Sequence, residues 1–193
     1  MKKTTLLLVI YFIALSGFAQ ITAIKKQLSE LYFEINFPVS KYDIRKLMNS
    51  ENFSKFSEGN IKANDVLISN FNYNYKLQYY RQAYEKQFTF WFSKGTDKNY
   101  CTGIDLRFSE MDKSYAYKQY DELISFFKNI SYKTTVVGDR DEGTNTEQYY
   151  YFYSSAAATQ KSLAYMIVKI RYITYNGNNL YAVTTSYYPD HLF

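Results

Sequence analysis

The sequence has very few of the residues that most often build catalytic and metal centres. It contains one cysteine, Cys101, and one histidine, His191. A single cysteine cannot form an internal disulfide, and a single histidine leaves too few groups for a zinc site and a poor choice of base for a nucleophilic triad. We interpret Cys101 as a buried apolar residue and His191 as a solvated residue of the C-terminal tail. No cofactor and no metal site is predicted.

Proline and glycine are also scarce, with two prolines and seven glycines in 193 residues. Disordered chains are usually rich in these residues, so their scarcity favours a folded domain. The net charge of +5 is small, and the basic residues are scattered along the chain. Nucleic-acid binding requires a concentrated basic patch rather than a mild excess. We therefore predict no nucleic-acid partner.

One long apolar run is present, and it lies at the start of the chain. Two lysines precede the apolar residues 6–15, and small residues then lead to Ala19. This is the layout of a cleaved export signal, and the run is shorter than the ~20 residues that a membrane span needs. We predict that residues 1–19 are a signal peptide, with an uncleaved anchor as the alternative. The mature domain, residues 20–193, is then periplasmic or extracellular and does not span the membrane.

Aromatic residues are the abundant class, at 23 tyrosines, 15 phenylalanines and one tryptophan. Tyrosine and phenylalanine favour β-strands. Alternation of apolar and polar residues, or runs of β-branched and aromatic residues, predict strands at residues 66–68, 71–79, 88–92, 104–108, 132–137, 148–153, 163–173 and 180–188. The Asn176-Gly177 step between the last two strands predicts a tight hairpin.

Apolar residues at helical spacing predict three amphipathic helices. They cover residues 21–35, 40–56 and 112–130. The third helix carries Tyr117, Tyr120, Ile124 and Phe127 along one face. Such a helix is marginal alone and needs a surface against which to bury this stripe. The predicted strands provide that surface.

Together these elements predict an α+β fold, a mainly antiparallel sheet with amphipathic helices packed on one face. The order of elements is also consistent with two tandem helix-plus-four-strand units, residues 40–110 and 112–188. We predict a single domain over residues 20–193, with these two halves inside it.

The candidate functional site is a sheet face. Each alternating strand has a second face, and several of these faces still carry aromatic side chains, which give a large contact area at low entropic cost. The predicted binding residues are Tyr80, Arg81, Trp91, Tyr150 and Phe152. We predict a non-enzymatic domain that binds a protein or a cell-envelope component, such as a glycan, through this face. The competing interpretation is that helices cover the face and that its aromatic residues belong to the core.

Two other functions are consistent with the sequence. Asp105, Glu110 and Asp112 lie close together along the chain. A carboxylate pair ~5–9 Å apart could serve glycan hydrolysis, and a peptide substrate is the other option. Alternatively, a long edge strand such as residues 163–173 could pair between chains and form a self-assembling structural subunit. The sequence does not identify the ligand, the partner or the oligomeric state.

Overall fold

A computed structural model of the chain describes residues 19, 21–26, 28, 32, 35, 37–49, 53–61, 64–71, 85–93, 100–139, 146–158 and 160–192. The described strands form one antiparallel sheet of eight strands, in the spatial order β1-β2-β3-β4-β8-β7-β6-β5. The strands are β1 (Phe53–Ile61), β2 (Asn64–Phe71), β3 (Glu85–Ser93), β4 (Cys101–Glu110), β5 (Lys133–Asp139), β6 (Glu147–Tyr153), β7 (Met166–Tyr175) and β8 (Asn178–Tyr187).

In the described part of the chain, two α-helices with defined bounds accompany the sheet, α1 (Lys41–Met48) and α2 (Lys113–Ile130), in addition to the helical residues 19, 21–26 and 28. Each begins at a side chain that satisfies free backbone amides of the first turn. Ser40 accepts a hydrogen bond from the Asp43 amide at 3.1 Å, and Asp112 accepts one from the Tyr115 amide at 2.7 Å. The predicted α+β fold, with an antiparallel sheet and a long helix packed against it, is confirmed.

The helix α2 lies across β8, β7, β4 and β6. Its predicted apolar stripe is largely buried there, since Tyr120, Ile124 and Phe127 are almost inaccessible to solvent. We call the covered surface the helix side of the sheet. Its buried strand residues include Phe88, Phe90, Leu106, Phe108, Phe152, Val168, Ile170 and Val183. Burial of each such side chain contributes about 1.5–3 kcal/mol, and this side therefore forms the core.

The predicted helix over residues 40–56 is wrong beyond Met48. The chain turns at Asn49, and the segment from Phe53 forms β1, which pairs antiparallel with β2. Phe53 is buried 6.1 Å from Phe88, measured between ring centroids. Apolar residues that extend a helical spacing in the sequence thus belong to a strand, because pairing with β2 outweighs the local periodicity.

Other predictions fall partly outside the described residues. Residues 21–26 and 28 are helical, which matches the start of the predicted helix 21–35. The predicted strand 71–79 overlaps the end of β2 at Phe71, and its remaining residues lie outside the described part, as does nearly all of the predicted signal peptide. Among the helices that the structure describes, none is long and apolar enough to cross a membrane.

The predicted hairpin between the last two strands is confirmed. Asn176 and Gly177 have φ angles of 50° and 77°, the left-handed conformation that a two-residue hairpin turn requires. The strand predicted as 163–173 is nevertheless not an edge strand, because β7 pairs with β6 on one side and β8 on the other. The two edges of the sheet are β1 and β5. The prediction of that particular edge is therefore wrong.

The element order gives two runs of one helix followed by four strands, α1 with β1–β4 and α2 with β5–β8. The two runs join where β4 pairs antiparallel with β8, from Ile104 opposite Tyr187 to Glu110 opposite Tyr181. The division of the domain into halves at residues 40–110 and 112–188 stays a prediction.

Candidate binding face

The candidate site lies on the side of the sheet away from the two α-helices. Side chains alternate between the faces of a strand, so the residues between the buried core positions point to this second side. Strand pairing places them in two rows that cross six strands. The first row is Gln87, Arg107, Thr184, Lys169, Tyr149 and Val137, and the second is Thr89, Asp105, Ser186, Ile167, Tyr151 and Thr135. These two rows, together with Trp91, are called the outer face.

Of the predicted binding residues, Trp91 lies on the outer face. Its indole Nε1–H donates a hydrogen bond to Asp105 Oδ2 at 2.9 Å, and its side chain is half-buried. In the pairing of β3 with β4 it lies opposite Gly103, a position where a Cβ atom would come within 3.3 Å of the Tyr188 ring. The hydrogen bond to Asp105 therefore orients the Trp91 indole.

Tyr150 and Phe152 point to the helix side instead. Phe152 is fully buried, with its ring 5.4 Å from that of Phe127. Tyr150 is half-buried and packs edge-on against Tyr120 at 6.1 Å. These two side chains consequently do not share a surface with Trp91. The other two predicted residues, Tyr80 and Arg81, lie outside the described part of the chain.

Sequence reasoning missed the aromatic residues that β6 places on the outer face, Tyr149 and Tyr151. Their rings are stacked, with centroids 6.3 Å apart and planes 21° apart. The Lys161 ammonium lies 5.7 Å from the centre of the Tyr151 ring, and the Tyr149 hydroxyl donates a hydrogen bond to the Glu147 carboxylate. Burial raises the pKa of Tyr149 to about 12, so its hydroxyl keeps its proton at neutral pH. The pair forms an uncharged aromatic strip along one strand.

Lys169 lies beside this strip, between Tyr149 on β6 and Thr184 on β8. Partial burial lowers the pKa of its ammonium group, and the charge of Asp105 acts in the opposite direction. Thr184 and Ser186 on β8 are each only 6% exposed. Long side chains on β7 and β4 therefore border a floor of small hydroxyl residues at the centre of the outer face.

Of the three carboxylates considered for hydrolysis, Asp105 lies apart from Glu110, whereas the pKa of Glu110 is raised by burial and also by the charge of Asp112. Asp105 and Glu110 are five residues apart on β4, so they lie on opposite faces and about 16 Å apart along the strand. Glu110 is nearly inaccessible on the helix side, where it accepts a hydrogen bond from Gln119 Nε2 at 3.4 Å. Burial raises its pKa to about 7. Asp112 caps α2 and has a structural role.

The single cysteine and histidine both have packing roles. Cys101 is a free, buried thiol whose pKa burial raises to about 12, which confirms its interpretation as a core residue. The interpretation of His191 as a solvated tail residue is wrong. Its Nδ1 lies 3.0 Å from the Ala164 carbonyl oxygen, and its own carbonyl accepts a hydrogen bond from the Ser154 hydroxyl at 3.1 Å. The described residues contain no cluster of three or more His, Cys, Asp or Glu side chains that could hold a metal ion.

Comparisons with protein families, curated proteins and solved structures give no match for this chain. The geometry of the outer face is therefore the basis on which a function is proposed.

Proposed function

We propose that this chain is an exported, non-enzymatic domain that binds a protein through the outer face. The observation that carries the proposal is the stacked pair Tyr149–Tyr151 beside Lys169, on the side of the sheet that neither α-helix covers. Tyrosine, tryptophan and arginine are enriched among the few residues that supply most of the binding energy in protein interfaces. Tyrosine and tryptophan combine a large contact area with a polar end. The outer face carries all three residue types, with Trp91 on β3 and Arg107 on β4, four and three strands away from the tyrosines on β6.

The charges favour a protein partner over a uniform polyanion. The outer face and its margin contain cations at Arg107, Lys169 and Arg171 and anions at Asp105 and Glu147. A mixture of signs suits a protein surface with its own mixture, where complementary charges fix orientation and exclude wrong partners. For a polyanion, the two carboxylates would offset much of the attraction of the three cations.

Support for binding also comes from the rigidity of the face. Apart from Val137 and Thr135 on the edge strand β5, its residues lie on β3, β4, β8, β7 and β6, each of which is paired on both sides, and the core lies on the opposite side of these strands. Side chains held in this way lose little conformational entropy when a partner arrives, so more of the contact energy appears as affinity. A preformed surface can bind a partner with little movement of its backbone, as in other pre-organised complexes.

Export is supported by the pattern of residues 1–19. The chain purified from envelope and secreted fractions of its host should begin at Gln20, and N-terminal sequencing measures this directly. A chain that keeps Met1 and remains with the membranes would contradict cleavage and favour an anchor.

The binding test compares two double variants of the tagged chain against the host's envelope and secreted fractions. Tyr149→Ala with Tyr151→Ala removes the aromatic strip. Tyr42→Ala with Tyr100→Ala removes two exposed tyrosines, 72% and 44% accessible, at positions outside the outer face. We expect a captured protein whose affinity falls about tenfold or more in the first variant and is unchanged in the second.

Circular dichroism of both variants shows that they are folded before binding is compared. Equal capture by the two variants would contradict the outer face as the binding site. Direct binding of purified wall glycan, lost in the first variant alone, would replace the protein partner by a glycan.

A further inference from the structure

Among the strands that the structure describes, β5 forms one edge of the sheet and pairs with β6 on one side only. An edge strand presents unpaired backbone N–H and C=O groups, and soluble proteins usually protect such edges with charges, proline or short strands. In β5 the charged residues stand at the two ends, Lys133 and Asp139. Between them lie Thr-Thr-Val-Val and then Gly138, whose φ angle of 81° interrupts the extended conformation next to Asp139. Val136 is 50% exposed and Val137 is 38% exposed. The centre of this edge is thus apolar and accessible.

We propose that two copies of this chain pair through β5 in an antiparallel arrangement, with Val136 of each copy at the two-fold axis. Backbone hydrogen bonds would extend the sheet from one copy into the other, as they do between neighbouring strands within it. Val136 then packs against Val136 of the other copy on the helix side. Val137 packs against Thr135 of the other copy on the outer face.

Charge complementarity favours the register in which Val136 lies opposite Val136. It also favours a second copy of this chain as the partner that pairs with β5. Residues that oppose one another in an antiparallel pair lie on the same face of the sheet. In a symmetric pair of identical strands, the two-fold axis must therefore pass between two copies of the same residue. Neighbouring registers then differ by a shift of two residues of one strand along the other. Centring on Val136 places Lys133 opposite Asp139 of the other copy, twice by symmetry. Centring on Thr135 instead places Lys133 opposite Val137, and centring on Val137 places Asp139 opposite Thr135. The strand is therefore complementary in charge to itself in one register.

The other edge is less suited to pairing. Solvent exposure is described for four residues of β1. Phe53 is buried, whereas Ser57, Glu58 and Gly59 are exposed, and none of these three has a large apolar side chain. Arg45 holds the Glu58 carboxylate with its Nη2 atom 2.6 Å from Oε2. A charged, ion-paired side chain on an edge opposes the approach of another strand. Pairing through β5 is accordingly favoured over pairing through β1.

The pairing would also join the two outer faces. A two-fold axis perpendicular to the sheet keeps both outer faces on the same side, so the two eight-stranded sheets become continuous. Because β6 neighbours β5, the Tyr149–Tyr151 strips of the two copies would flank the seam. The dimer does not depend on the binding role of the outer face, and either can fail without the other.

Sedimentation velocity over a range of chain concentrations up to roughly 1 mM tests the proposal. We expect a reversible monomer–dimer equilibrium. Lys133→Asp alone should weaken it about tenfold, because aspartate then opposes Asp139 at both ends, and Asp139→Lys alone should do the same with two lysines. An equimolar mixture of the two variants should dimerise again, since each end of the mixed pair joins opposite charges.

Val136→Lys places like charges face to face at the axis and should abolish the dimer, while Val136→Thr, a strand-forming residue of similar shape, should keep it. Circular dichroism and the unfolding midpoint check that each variant is folded. A chain that stays monomeric over the whole range would overturn the proposal. So would a dimer that Val136→Lys leaves intact, or a failure of the mixed variants to associate.

Discussion

The two faces of the sheet differ although the same strands form both. On β6, Phe152 points to the helix side and is fully buried against Phe127, whereas its neighbour Tyr151 points to the outer face and stays half-exposed. On β4, Phe108 and Arg107 make the same contrast. Aromatic residues occur on both faces, so residue type alone does not assign a role. The position of α2 decides which aromatic residues form the core and which are available to a partner.

The largest expected effect separates the two faces on β6. Phe152→Ala should lower the free energy of unfolding by about 3–5 kcal/mol, because it leaves a cavity under α2. Tyr151→Ala should lower it by about 1 kcal/mol or less, since a half-exposed side chain loses less buried area. Urea unfolding of both variants measures the difference. Comparable losses would mean that the outer face is as enclosed as the helix side.

Much of the fold can be predicted from the sequence because local patterns carry it. In β3, β4 and β7, apolar residues alternate with polar ones, and α2 has an unbroken helical stripe between an aspartate cap and a strand. The segment of β1 is different. Its phenylalanines and Ile61 also fit a helical spacing, and antiparallel pairing with β2, the next strand along the chain, settles its conformation.

The site was harder to predict than the fold. Every residue from Tyr149 to Tyr153 is aromatic, so alternation gives no sign of which residues face the core. The answer lies in β7, where Val168 and Ile170 are buried and Lys169 and Arg171 are not. Only the register of β6 against β7 transfers that assignment to the tyrosines. Which strands form the edges depends in the same way on pairing rather than on local sequence.

Glu110 and Asp105, one on each face of β4, allow the two faces to be compared by the pH dependence of stability. Burial raises the pKa of Glu110 on the helix side from 4.5 to about 7, so the folded state binds this proton more tightly than the unfolded state. The resulting stabilisation is complete below about pH 4.5 and is lost as the pH rises to about 7. After a discount for solvent screening we expect a loss on the order of 2 kcal/mol. Thermal unfolding across this pH range measures it.

The matched variants for this prediction are Glu110→Gln and Asp105→Asn. The amide at position 110 stays neutral at every pH, so Glu110→Gln should remove this part of the pH dependence and make the protein more stable at neutral pH. Among the described residues, Gln119 Oε1 has no hydrogen-bond partner. If the side-chain amide of Gln119 rotates by about 180°, its oxygen can accept a hydrogen bond from a protonated Glu110 or from a glutamine at position 110. Asp105→Asn, on the outer face, should leave the Glu110 slope in place. If the stability of Glu110→Gln still falls between about pH 4.5 and 7, this pH dependence belongs to another titrating group.

Two tyrosine hydroxyls give the smallest expected difference between the faces. Tyr32 is fully buried on the helix side, stacked on Tyr187 at 5.6 Å, and its hydroxyl donates to Thr185 Oγ1 at 2.9 Å. Tyr32→Phe keeps the ring and should cost about 1 kcal/mol, since the buried Thr185 oxygen loses a donor and no solvent replaces it. Tyr149→Phe should cost less than about 0.5 kcal/mol, because water can take the place of the Tyr149 hydroxyl at the exposed Glu147 carboxylate. Chemical denaturation resolves the two if each is measured against wild type in the same buffer. Equal costs would imply that the Tyr149 hydroxyl is shielded from water, and the outer face would then be part of the core rather than a surface open to a partner.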